Sequence, residues 1–122
     1  MREIKFRGIS KEKGIFVYGC YIKASNGKEE IHAILEIGKS IDFITEVIKE
    51  SIGQFTGLQD KNGVDIYEGD IVNSNYFKNG NVVFWRYGWH FNTGKDCHHS
   101  FNTSSHSFEV IGNIHEHLNL LK

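Results

Sequence analysis

Ile52-Gly53-Gln54-Phe55-Thr56-Gly57-Leu58-Gln59-Asp60-Lys61-Asn62-Gly63-Val64-Asp65-Ile66-Tyr67-Glu68-Gly69-Asp70-Ile71-Val72 is the stretch that decides the fold class. Two runs rich in apolar, β-branched and aromatic residues flank Asp60-Lys61-Asn62-Gly63. An Asn-Gly pair between such runs signals a hairpin, because these residues accept the positive φ that a tight turn demands. Ile52 to Thr56 is expected as one strand, and Asp70 to Ser74 as a later one reached through Ile66 and Tyr67. Phe55, Ile66, Ile71 and Val72 are the expected core residues, with Gly57, Gly63 and Gly69 setting the turns.

The same punctuation recurs on both sides. Ile4 and Phe6 alternate with Glu3, Lys5 and Arg7, the period of a half-buried strand. After a polar turn at Lys11–Gly14, Ile15 to Ile22 predicts a second strand. Ser25-Asn26-Gly27-Lys28 is a further turn, and Glu30 to Glu36 a third strand. Residues 40–50 fit a strand through Ile41, Phe43, Thr45 and Val47, and a helix face through Ile41, Ile44 and Ile48. The strand is preferred for 42–48, with a polar turn at 49–51. Downstream, Phe77–Asn81 predicts another Asn-Gly turn, Val82 to Phe91 one long strand, and Ser107 to Ile111 the last strand. Asn92 to Ser105 is polar and expected as a mobile loop, and Glu116 to Leu121 as a short helical turn. The expectation is a mainly β protein: a small barrel or sandwich of short antiparallel strands joined by Asn-Gly hairpins, with little helix. The chain has no proline and 13 glycines, which favours such hairpins. At 122 residues it reads as one domain, with room for two β lobes of about 1–51 and 52–122.

The charge balance restricts function. Fourteen basic residues face 15 acidic ones, giving a net charge of −1. Such a chain has no general electrostatic grip on nucleic acid or an anionic membrane. Residues 1–61 carry ten Lys/Arg and nine Asp/Glu, residues 62–122 four and six, and six of the seven histidines lie in the second part. Cys20 and Cys97 are far apart and read as free thiols. No apolar run approaches the roughly 18 residues that span a bilayer, and the N-terminus lacks a signal-peptide core, so a cytoplasmic protein is expected.

Four groups of residues could carry chemistry. Cys97-His98-His99, His106 and His115-Glu116-His117 offer zinc ligands, but their spacing matches no zinc module and a solvated polar loop accounts for them. Trp85, Tyr87, Trp89 and Phe91 alternate along the expected long strand and would share one face; a core wall is preferred over a stacking platform for bases or sugars. Arg2, Lys5, Arg7, Lys11 and Lys13 are diluted by Glu3 and Glu12, as in an edge strand guarded by charge. In the alternative nucleic-acid-binding reading, Lys5, Arg7 and Arg86 would contact the strand. Asp60, Asp65, Glu68 and Asp70 include turn acids better explained by bonds to backbone N–H groups than by acid–base work. No nucleophile elbow, P-loop or HExxH sequence is present. No catalytic residue, cofactor or metal is therefore assigned.

Met1–Arg7, the blocks Ile52–Leu58, Asp60–Gly63 and Ile66–Val72, and the ending Glu109–Ile114 with Glu116 together resemble the YopX-like proteins of bacteriophages and prophages. The co-linear blocks span nearly the whole chain, with 23–51 and 92–107 variable. His115 stands where that family usually has an aromatic residue, and His117 where it usually has Asn ahead of Pro, which removes the helix-start signal. The resemblance implies a mostly β fold and a phage or prophage origin, and brings no activity. A non-enzymatic accessory protein acting through protein–protein contacts is the resulting expectation, its partner either a second copy or a host or phage protein.

Overall fold

The structure is a computed structural model and describes residues 4–40, 43–75, 77–94, 97–101 and 107–121. Among these residues eleven strands follow one another: β1 Phe6–Ile9, β2 Phe16–Ser25, β3 Glu30–Glu36, β4 Ile44–Glu46, β5 Gly53–Gln59, β6 Asp65–Tyr67, β7 Asp70–Asn73, β8 Gly80–Trp85, β9 Gly88–Asn92, β10 His98–Ser100 and β11 Glu109–Asn113. Short 3-10 turns occupy Lys49–Ser51 and Leu118–Leu121. The hydrogen-bonded orders are β4-β3-β2-β1-β5-β6 and β10-β9-β8-β7-β11. The mainly β class stands, as two open antiparallel sheets, neither closed into a barrel. By contact density the chain divides into two compact units, Met1–Phe55 and Thr56–Lys122.

The first unit is built on the β2–β3 hairpin, in which Tyr21 faces Ile34 and Lys23 faces His32. Its turn is tied by Asn26, whose Oδ1 accepts from the backbone N–H of Lys28 at 2.9 Å and of Glu29 at 2.8 Å. Val17, Ile34 and Val47 form its buried core, with Phe6, Tyr21 and Ile52 packed against them. One face of the sheet is thereby used. A side chain at Gly19 would place its Cβ 1.9 Å from the carbonyl oxygen of Leu35, so only glycine lets β2 and β3 close there. Ser51 Oγ accepts from Ile9 N–H at 2.7 Å and donates to Ile48 O at 2.6 Å, which satisfies backbone groups where the strands end.

The second unit packs Ile66, Val72, Val82, Phe91, Phe101 and Phe108 into one core, with Leu58, Trp89 and Val110 against it. Two expectations fail here. The long strand Val82–Phe91 is instead a hairpin: Trp85 pairs with Gly88, and Arg86 (φ 46°) and Tyr87 (φ 72°) form the two-residue turn between β8 and β9. The aromatic ladder consequently dissolves. Phe91 is 1% exposed, Trp89 packs against the same core, and Tyr87 is 100% exposed at the turn. No Asn, Asp or Gly marks the two turn positions, so the local signal continues as strand while pairing of Val82 with Phe91 and Phe84 with Trp89 folds it back. The polar segment 92–105 also contains a strand, since His98, His99 and Ser100 pair with Asn92, Phe91 and His90. The rest of that loop is described only at residues 93–94, 97 and 101.

Strand limits moved too. β1 starts at Phe6 rather than Ile4, β2 continues to Ser25, β5 to Gln59, and β11 occupies 109–113 with a register shift between Val110 and Gly112. The expected strand 42–48 is β4, three residues long, followed by the isolated pairing of Val47 with Ser10.

Candidate functional site

Side chains alternate across a strand and paired residues share a face. With Val17, Gly19 and Tyr21 turned to the core of the first unit, Tyr18, Cys20 and Ile22 of β2 stand on the opposite face. Ile31 and Leu35 of β3 and Ile44 of β4 join them through the pairings of Ala24 with Ile31, Cys20 with Leu35, and Leu35 with Ile44. These six uncharged residues adjoin one another as a patch, with Arg7, paired with Tyr18, and Glu46, paired with Ala33, flanking them on the same face. Tyr18 is 43% exposed, Ile31 45% and Ile44 42%; Cys20 is exposed, and Ile22 and Leu35 are half-buried. At its border Glu46 is paired to Lys11 at 2.9 Å. The patch lies beside β4, the edge strand of its sheet. An apolar centre with a charged rim is the anatomy of a protein contact surface.

The core-side face of the same hairpin carries a polar chain. Tyr21 O–H lies 2.5 Å from His32 Nδ1, and His32 Nε2 lies 3.3 Å from Glu30 Oε2. Lys23 stands 3.6 Å from Glu30 and, with the His32 contact, holds its carboxyl below the usual carboxylate range. This arrangement orients a tyrosine hydroxyl. A cleft of about 350 Å³ in this unit is lined by Ser10, Glu12, Lys13, Glu36, Lys39 and apolar neighbours, not by the tyrosine–histidine pair. An open cleft of about 470 Å³ in the second unit is lined by Asn73, Phe77, Lys78, Asn79, Thr93 and the C-terminal leucines.

Two of the four acidic residues singled out from the sequence, Asp60 and Asp70, serve the backbone, while Asp65 Oδ1 accepts from Gln59 Nε2 at 3.1 Å. Asp60 is 1% exposed. Its Oδ1 accepts from the N–H of Asn62 at 2.8 Å and Val64 at 2.9 Å, and its Oδ2 from Val110 at 2.9 Å. Burial pushes its carboxyl up, but these three donors, with the Lys61 charge, outweigh burial and hold it below the ordinary range. Asp70 accepts from Tyr67 N–H at 2.7 Å and is buried. The Asn-Gly turn differs in one respect from expectation: Gly63 has positive φ (79°) and Asn62 does not, the pattern of a longer loop closed by one left-handed glycine.

The three cations of the alternative reading each lie over an aromatic ring. Lys5 is half-buried with Nζ 4.6 Å from the Phe55 centroid, and Arg7 is buried with Cζ 4.3 Å from that of Phe16. Arg86 is exposed with Cζ 4.6 Å from Trp85. The surface-borne charge of this trio is thus mainly that of Arg86.

The histidines divide. His98 stacks on Trp85 with centroids 4.3 Å apart and planes 1° from parallel, while His99 lies against Phe91. His117 Nδ1 accepts from Asn113 N–H at 3.2 Å, and Asn113 Oδ1 accepts from His115 and Glu116 N–H at 3.0 Å, so the His-x-His pair belongs to a capped turn. His106 lies outside the described residues, as does Arg2. Among the described residues no three His, Cys, Asp or Glu side chains are grouped to hold a metal ion. Both cysteines are free and exposed. Sequence reasoning missed the apolar patch, because the strand alternation that creates it also describes a core face.

The fold defines a mainly β protein of two open antiparallel sheets. The YopX protein family model matches residues 5–122, nearly the whole chain. The protein belongs to the YopX family. Its fold is also similar to that in the crystal structure of protein EF1440 from Enterococcus faecalis, at 22% identity and a TM-score of 0.55, with both chains covered completely. No curated protein matches the sequence. Among the described residues no helix is long and apolar enough to cross a membrane.

Proposed function

We propose that this protein is a non-enzymatic accessory factor of phage or prophage origin, acting in the cytoplasm through protein–protein contacts, self-association among them. The observation that carries this is the uncharged patch of Tyr18, Cys20, Ile22, Ile31, Leu35 and Ile44 on the sheet face opposite the first core. Covering such side chains returns about 2 kcal/mol for each large aliphatic residue taken fully out of water. Light scattering over a concentration series tests self-association. Mass should rise with concentration for the native chain and fall to the monomer in Ile31→Glu/Ile44→Glu, whose positions are exposed enough to keep the fold. A native chain that stays monomeric at high concentration removes self-association. A partner from host or phage is then tested by whether the same double variant loses it in a pull-down.

A further inference from the structure

The β8–β9 turn breaks the local rule for its geometry. A two-residue loop between paired strand residues needs positive φ at both positions, which Asn-Gly supplies with least strain. This chain places Arg86 at φ 46° and Tyr87 at φ 72°. Left-handed backbone at two bulky residues is retained where their side chains have a task. Tyr87 is 100% exposed and neighbouring Phe84 59%, although Phe84 lies edge-on to Trp89 at 5.1 Å. Arg86 projects over the ring of Trp85.

The sheet face behind the turn continues the pattern. Val82, Phe84, Trp89 and Phe91 share the core side, so Asn81, Val83, Trp85, His90 and Asn92 occupy the outer side, joined by His98 of β10 through its pairing with Asn92. There the Trp85 and His98 rings are parallel at 4.3 Å, and His90 meets Trp85 edge-on at 5.2 Å. Asn81 and Asn92 face each other across the pair and are partly exposed. The charge of this segment departs from that of the chain. From Ile71 through Phe108 the sequence carries Lys78, Arg86 and Lys95 against the single acid Asp96, in a protein of net charge −1.

We propose that the Arg86–Tyr87 turn and the outer face bearing Trp85, His90 and His98 bind single-stranded nucleic acid. Unpaired bases stack on exposed aromatic rings without regard to sequence; Tyr87 and Phe84 are the exposed rings here, while Trp85, already stacked with His98 and beneath Arg86, is partly exposed and backs the turn. Arg86 supplies a guanidinium for phosphate or for stacking, and the amides of Asn81 and Asn92 offer donors and acceptors to base edges. Three basic residues against one carboxylate limit the repulsion that would exclude a polyanion. Duplex is disfavoured because its stacked bases present no faces and one exposed arginine neutralises few phosphates. Binding led by stacking has a shallow salt dependence: one or two phosphates neutralised give a log–log slope of roughly −1. This site lies within the second unit and does not depend on the apolar patch of the first.

The test is fluorescence anisotropy of labelled oligo(dT) and oligo(U) of about 12 nucleotides, titrated with the full chain between about 50 and 200 mM salt. Saturable binding with a slope near −1 is expected. Tyr87→Ala should weaken it about fivefold and Arg86→Asn/Tyr87→Gly about tenfold. The double variant creates the low-strain turn, so its midpoint of thermal unfolding should rise by about 3 °C or more while affinity falls, which separates lost contact from lost fold. No binding at the lowest salt overturns the proposal and leaves the hairpin to a protein partner. Unchanged affinity in the stable double variant, or a slope steeper than about −3, overturns it as well, because the strand would then be held elsewhere or by charge alone.

Discussion

Two turns of the second unit make opposite choices. At Asp60–Gly63 every local preference agrees with the geometry: a buried carboxylate accepts three backbone N–H groups, and glycine takes the one left-handed position. At Arg86–Tyr87 local preference and geometry conflict, with two large side chains in the left-handed region and one of them fully in solvent. The first turn is stabilised by what it is; the second is imposed by the pairing of β8 with β9 and displays what it carries. A turn that follows the rules reports on folding, and a turn that breaks them points to contact with something outside the chain.

Removing the Asp60 carboxylate tests the first half of that contrast most strongly. Asp60→Ala leaves three N–H donors without their acceptor in a buried site, one of them on Val110, 50 residues away. A loss of about 3 kcal/mol is expected from urea denaturation, with an unchanged m value. A loss below about 1 kcal/mol would show that water replaces the carboxylate and that the turn is not the anchor described here.

The second half predicts the opposite sign. Arg86→Asn/Tyr87→Gly should raise stability by about 1–2 kcal/mol, since it relieves two unfavourable φ values and exposes no core residue. Destabilisation by this double variant would mean that Arg86 over Trp85, and not external contact, holds the residue pair in place.

The smallest expected effect comes from pH. The Asp60 carboxyl titrates lower in the folded protein than in the unfolded chain. Its stabilising contribution is therefore complete above the unfolded value, about 3.9, and is lost as pH falls through the folded value. Urea midpoints measured at decreasing pH should fall more steeply below about pH 4 for the native chain than for Asp60→Asn. Parallel curves would assign acid sensitivity to other carboxyls, Glu30 beside Lys23 and His32 among them.

Local chemistry made much of the fold legible. Phe55, Ile66, Ile71 and Val72 are buried as expected from their apolar character, and β3 occupies Glu30–Glu36 as expected, because flanking turn residues bound that strand on its N-terminal side. Asp60 was recognisable as a turn acid, but its bond to Val110 was not, since no local pattern encodes a partner in a distant strand. The hairpin at 86–87 was invisible for the complementary reason: its residues have strand propensity and the turn exists only through cross-strand pairing.

By itself the sequence determined the β class, the turn glycines and aspartate, and the family blocks, all of which rest on interactions a few residues apart. Tertiary structure decided which alternating face is core and which is left open. In β2, Val17 and Tyr21 turn inward while Tyr18, Cys20 and Ile22 remain on the outside, although all are residues a core would accept. Period-two alternation gives two apolar faces equal standing wherever both are apolar. Only the packing of β1 to β4 around Val17, Ile34 and Val47 assigns one to the interior and leaves the other on the outside.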